Sequence, residues 1–147
     1  MNYSIKVATV ENLDDIYNLQ KDYSHLILSK NSLKKDLESN LSFYLIAITD
    51  SNEIVGSIGI NLLVDHADIS ILITKKGYTN LGIATSLLNK VTEKCLELNF
   101  EKIFLEVRFS NTTAINLYEK AGFKSISKRK NYYSDTNEDA IIYVKKI

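Results

Sequence analysis

A chain of 147 residues, 45% of them hydrophobic, is long enough to bury one core, and residues 1–147 are expected to form a single domain. Eighteen basic residues balance eighteen acidic ones, which excludes a global electrostatic case for nucleic acid or an anionic membrane and leaves only local patches. One cysteine cannot close an internal disulfide, and no apolar run approaches the roughly 18 residues of a membrane span, so a cytoplasmic protein without a membrane anchor is expected.

Tyr3, Ile5 and Val7 alternate with polar neighbours as a first strand, and Thr9 can cap a helix that carries Leu13, Ile16, Tyr17 and Gln20 on one side. Ser32 is placed as the cap of a second short helix through Leu33, Leu37 and Leu41. Phe43 to Thr49 and Ile54 to Val64 read as strands around the polar turn Asp50-Ser51-Asn52-Glu53, and Asp65-His66 turns the chain into a third strand, Ala67 to Ile73.

Leu81 to Leu98 is the clearest helix, with Ile83, Leu87, Leu88, Val91 and Cys95 at helical spacing. Cys95 on that stripe reads as a small buried hydrophobe rather than a nucleophile. In the strand Ile103 to Phe109, alternation sends Ile103, Leu105, Val107 and Phe109 one way and Phe104, Glu106 and Arg108 the other. Asn111 or Thr112 can cap the next helix, with Ala114, Ile115, Leu117, Tyr118 and Ala121 broadly inward and Gly122 just past its end. Phe123 to Lys130 and Ala140 to Lys145 close the chain as two strands around a polar loop, Asn131 to Asp139. The order suits an α/β (α+β) domain: a mixed, mostly antiparallel central sheet with helices on both faces.

Three features could carry chemistry. Gly82 and Ala84 open a long helix whose first backbone N–H groups lack intrahelical partners, a ready phosphate cradle or simply a tight turn. Glu106 is acidic in an apolar strand, either an ion-pair partner of Arg108 on the same face or a general base. Tyr118 lies on the apolar side of its helix, either a packed core phenol or a proton donor with an ordinary pKa near 10. Lys128-Arg129-Lys130 with Tyr132 and Tyr133 can line a binding groove or meet an acidic surface. His25 and His66 have no carboxylate or cysteine at ligand spacing, so no metal is expected.

Tyr78 to Leu88 resembles motif A of the GNAT superfamily of acetyl-CoA-dependent N-acetyltransferases, Arg/Gln-x-x-Gly-x-Gly/Ala, with Gly82 and Ala84 at its small positions. Leu105 to Phe123, with Arg129 to Tyr133 and Glu138 to Ala140, is similar to the RimI group within it, which acetylates the N-terminal alanine of a small-subunit ribosomal protein. The resemblance implies Glu106 as general base and Tyr118 as general acid. It implies that the backbone of Leu72, Ile73 and Thr74 pairs with pantetheine, that Asn80, Leu81, Gly82, Ile83, Ala84 and Thr85 hold the pyrophosphate, and that Asn111 touches the pantetheine arm.

Two positions depart from the pattern. Thr79 stands where the family usually has Arg or Gln, and His25 to Ser29 replaces a Pro-Trp-Ser segment that borders the acceptor groove. The expectation is acetyl transfer from acetyl-CoA to a primary amine without a metal, the acceptor being a protein N-terminus. The alternatives are a small amine or a lysine side chain, or a non-catalytic acyl-CoA-binding domain. Both a monomer and a homodimer are compatible with the sequence.

Overall fold

The computed structural model of the protein describes residues 2–23 and 28–147. Strands β1 (Tyr3–Val7), β2 (Ser42–Thr49), β3 (Ile54–Leu62), β4 (Ala67–Thr74), β5 (Lys102–Arg108), β6 (Lys124–Tyr133) and β7 (Glu138–Lys146) form one sheet in the order β1-β2-β3-β4-β5-β7-β6. Helices α1 (Leu13–Asn18), α2 (Lys30–Glu38), α3 (Ile83–Glu97) and α4 (Thr112–Lys120) pack on it, α1 being entered through a 3-10 turn at Val10–Asn12. Each neighbouring pair is antiparallel except β4 and β5. The expected α/β architecture, a mixed and mostly antiparallel sheet, is what forms.

Each face of the sheet has its own core. On one face α3 and α4 bury Leu87, Val91, Cys95 and Tyr118 against Ile58, Ile60, Ile103, Leu105 and Val107. On the other, α1 and α2 bury Ile16, Leu19 and Leu33 against Tyr44, Ile46, Ile71 and Ile73. Each fully buried aliphatic side chain contributes roughly 1.5–3 kcal/mol, so neither layer is ornamental. Helix α3 comes in close because β3 offers it a glycine: a Cβ on Gly56 would lie 2.8 Å from Ile83 Cγ2 and 3.3 Å from Leu87 Cδ1.

β4 serves both cores. Its partner β3 pairs Ile60 with Ile69 and then Gly59 with Ile71, so Ser70 is an extra residue, a β-bulge. Ala67 and Ile69 before the bulge join the α3 core, whereas Ile71 and Ile73 after it join the α1/α2 core. An unbroken alternation along the sequence therefore changes sides in the fold.

Several boundaries differ from the sequence expectation. Ser29, not Ser32, caps α2: its hydroxyl accepts from the Ser32 N–H at 3.1 Å, because a cap side chain bonds a donor inside the first turn. Leu41 lies beyond that helix and is exposed. β3 ends at Leu62, and α3 begins at Ile83, so Leu81 and Gly82 belong to the turn before it. β5 ends at Arg108 and Phe109 is exposed. Asn111 is the cap of α4, accepting from the Ala114 N–H at 3.2 Å. The closing strands run further than expected, leaving only residues 134–137 between them. Residues 24–27, including His25, lie outside the described residues.

Candidate active site

β4 and β5 pair at only two positions, Ala67 with Ile103 and Asp68 with Phe104. Beyond them the strands part, because each follows its other neighbour: β4 stays registered on β3 through Thr74 and β5 on β7 through Arg108. The gap opens into a cleft of about 1380 Å³, bordered by Ile69 to Thr74 on one side and Leu105 to Arg108 on the other.

Glu106 lines this cleft. Its neighbours Leu105 and Val107 are buried under α3 and α4, so pleating turns Glu106 to the opposite face, where it keeps 32% of its side-chain exposure. Of the two readings of Glu106, the ion pair with Arg108 does not form. Arg108 reaches instead toward the β6–β7 turn, and Glu106 Oε1 lies 3.5 Å from Arg129 Nε. An exposed pair of this kind contributes at most about 1 kcal/mol, so Glu106 is easily released. Tyr132 stands on the same carboxylate, whose charge is the main reason its phenol is held above its ordinary pKa.

Tyr118 lines the cleft from the other face. The Asn111 cap fixes the start of α4, and Tyr118, two turns in, is buried with its ring edge-on to Phe123 at 5.8 Å. Burial pushes its pKa up to about 12, with a smaller contribution from Tyr133. Tyr133 is itself raised, first by burial and then by the charge of Glu106. It therefore lies within electrostatic reach of both residues, which approach one opening from opposite faces of the sheet.

At the far end of the cleft, Asn80 and Gly82 take left-handed backbone angles, φ 62° and 81°, folding the chain into the start of α3. Leu72, Ile73, Thr74, Ala84 and Asn111 line the cleft wall. Asn80, Leu81, Gly82, Ile83 and Thr85 lie in the adjoining turn and first helical turn. Leu81 points to solvent and Ile83 into the core, so these positions can offer a ligand backbone N–H groups rather than side chains. Thr79 lines the cleft.

Asp68 and Tyr23 also line the cleft and were not singled out in the sequence. Asp68, in β4, faces the same side as Glu106; its carboxyl is raised mainly by burial, with His66 opposing and Glu106 adding. Tyr23, beyond α1, donates its hydroxyl to the Thr74 carbonyl. An acidic residue in an apolar strand was a readable signal for Asp68, as it was for Glu106; nothing local marks Tyr23. Cys95 is fully buried and its thiol is pushed up to about 11 by burial. Among the described residues no His, Cys, Asp and Glu side chains form a group of three or more able to hold a metal, and no helix is long and apolar enough to cross a membrane.

The sequence and the fold match known proteins. The family model for the acetyltransferase (GNAT) family matches residues 10–123. A protein of Bacillus subtilis strain 168, provisionally named a ribosomal protein bS18-alanine N-acetyltransferase, is 30% identical over 95% of this chain and 92% of its own length. An N-alpha-acetyltransferase of Saccharolobus solfataricus is 32% identical over 96% and 91%. The crystal structure of the ribosomal-protein-S18-alanine N-acetyltransferase from Escherichia coli superposes with a TM-score of 0.91 at 23% identity, covering 99% of this chain and 94% of that one.

Proposed function

Because the chain belongs to the GNAT acetyltransferase family, whose acyl donor is acetyl-CoA, we propose that it transfers the acetyl group to the N-terminal α-amine of a protein, a small-subunit ribosomal protein being the leading candidate. The observation that carries this reading is the parting of β4 and β5 into a cleft that Glu106 enters from one face and Tyr118 from the other.

The residues present fit the donor. The unpaired edge of β4 at Leu72 to Thr74 can take a pantetheine arm as an added strand, and Asn111 lies across the cleft from it. The start of α3, at Asn80 to Thr85, presents free N–H groups and the positive end of a helix dipole to a pyrophosphate. When bound there, the donor supplies an activated thioester carbonyl.

Glu106 takes the proton of the attacking amine. An α-amine has a reference pKa of about 7.7–8.0, so a sizeable fraction is already neutral near pH 7 and little base strength is needed; a lysine amine near 10.4 would demand more. A backbone N–H near Ile73, in the edge that β5 leaves free, donates to the oxygen on which charge develops. Tyr118 offers its O–H to the departing sulfur. With a pKa of about 12, against about 8.5 for an ordinary thiol, its contribution is a hydrogen bond to developing charge more than complete proton transfer. No covalent intermediate on the protein is called for, and Cys95 is buried away from the reaction.

The test is mass spectrometry of acceptors incubated with acetyl-CoA and the protein: N-terminal peptides of ribosomal proteins, the same peptides with blocked N-termini, and free polyamines. Acetylation confined to free N-termini is expected. Acetylated polyamines, or lysines in the blocked peptides, would replace the α-amine reading with another amine class.

A further inference from the structure

The acceptor side of the cleft has a wall that belongs to neither β4 nor β5. Tyr132 and Tyr133, at the end of β6, stand over Glu106 and face the opening. They occupy an irregular stretch where β6 slips register against β7 between Arg129 and Tyr133, with Asn131 at φ 53°. Such a hairpin end needs tertiary support to hold two large rings in one place.

Arg108 provides it from β5. Its guanidinium forms a two-pronged bond with Asp135, Nη1 to Oδ1 and Nη2 to Oδ2 both at 3.1 Å, and Nη1 also donates to Thr136 Oγ1 and Glu138 Oε2, each at 3.2 Å. Its Cζ lies over the Tyr133 ring, 4.0 Å from the ring centre. Glu138 completes the tie by accepting from the Ser110 N–H at 3.2 Å, a bond that, with Thr136 and Arg108, holds its carboxyl below the ordinary carboxylate range. With only 19% of its side chain exposed, Arg108 joins the strand that carries Glu106 to the turn that carries the tyrosine wall. A lysine at this position could supply the charge but not the planar fork or the stacking surface.

We propose that Arg108 is a positioning residue: by clamping the β6–β7 hairpin to β5 it fixes Tyr133 and Tyr132 against Glu106, and so sets how tightly the amine acceptor is held without contributing to acetyl-CoA binding. The proposal rests on the acyl-transfer reading of this cleft, which has two separable sides. The donor side, at Leu72 to Thr74 and the start of α3, shares no side-chain hydrogen bond with Arg108; Asn111, which faces it, meets Arg108 only through the main chain, its N–H donating to the Arg108 carbonyl at 3.0 Å, a bond that substitution of the side chain leaves in place.

Arg108→Gln and Arg108→Lys test it against the unaltered protein, with the double variant Arg108→Asp/Asp135→Arg as the rescue. Three quantities are read: amide hydrogen exchange by mass spectrometry, acetyl-CoA affinity by calorimetry, and KM and kcat for the acceptor peptide. Arg108→Gln should speed exchange in residues 131–137 and leave the start of α3 unchanged. It should keep acetyl-CoA affinity and raise the acceptor KM by about tenfold, a shift of one decade in binding. Arg108→Lys should fall between, and the swapped pair should recover part of the KM.

Unchanged exchange in the hairpin, or equal losses of donor and acceptor affinity, would overturn the proposal. If the unaltered protein acetylates a different amine, the α-amine reading falls, while the same comparison on that amine still decides what Arg108 does.

Discussion

Glu106 and Tyr118 illustrate how a residue's neighbours divide its options. Each had a bland reading in the sequence, and for Glu106 the structure removes the specific form of it, since Arg108 is engaged elsewhere. Glu106→Gln keeps size and loses the basic oxygen, so turnover should fall by about 100-fold or more, with acetyl-CoA affinity little changed. Tyr118→Phe should lower kcat by about tenfold to 100-fold while leaving the donor's Kd within about twofold; equal losses in both would mean the phenol only packs. Burial raises Tyr118 and Cys95 together, which fixes the sign of a pH effect. Below about pH 7.5 both groups are protonated in folded and unfolded chains alike, and that part of stability is fully present. Between about pH 8 and 12 the unfolded chain ionises first, its thiol before its phenol, so stability falls; denaturant midpoints from pH 8 to 11 should decline, less steeply in Cys95→Ala. The native thiol should also resist alkylation at pH 8 and react only after unfolding.

Among the elements, helices and strands were legible wherever one face is buried and the other wet. α3 shows this best: its stripe from Ile83 to Cys95 is buried as its spacing requires. The ends were less legible, because Ser29 and Ser32 carry the same capping chemistry and only the backbone path chooses between them. The bulge at Ser70 left no trace in the pattern, since the alternation of apolar residues runs straight through it while the faces exchange. The partners of Arg108 were equally hidden; Asp135 and Glu138 lie some thirty positions away and meet it only through the pairing of β5, β7 and β6. Gly82, Glu106 and Tyr118 stood out as candidates from their own patterns and the family resemblance assigned them roles, while alternation placed Glu106 and Arg108 on one face without revealing that their charges go to different partners. The glycine under α3 carries its own prediction. Gly56→Ala places a methyl group where Ile83 and Leu87 already sit, so the helix start must retreat. Overpacking of this kind costs about 1–3 kcal/mol, and the retreat should weaken acetyl-CoA binding more than acceptor binding, as calorimetry on a correctly folded variant can measure.

For the molecule as a whole, the consequential feature is that its sheet is perforated. A continuous sheet divides the surface into two sides with no traffic between them; here β4 and β5 part, and on the acyl-transfer proposal the opening gives one reaction centre two doors. On that proposal donor and acceptor need not queue for the same entrance, so both can be aboard at once. Reciprocal plots of initial rate against either reactant should therefore give intersecting lines. A parallel set would signify a protein that unloads one reactant before admitting the next, for which an architecture open at both sides would have no use.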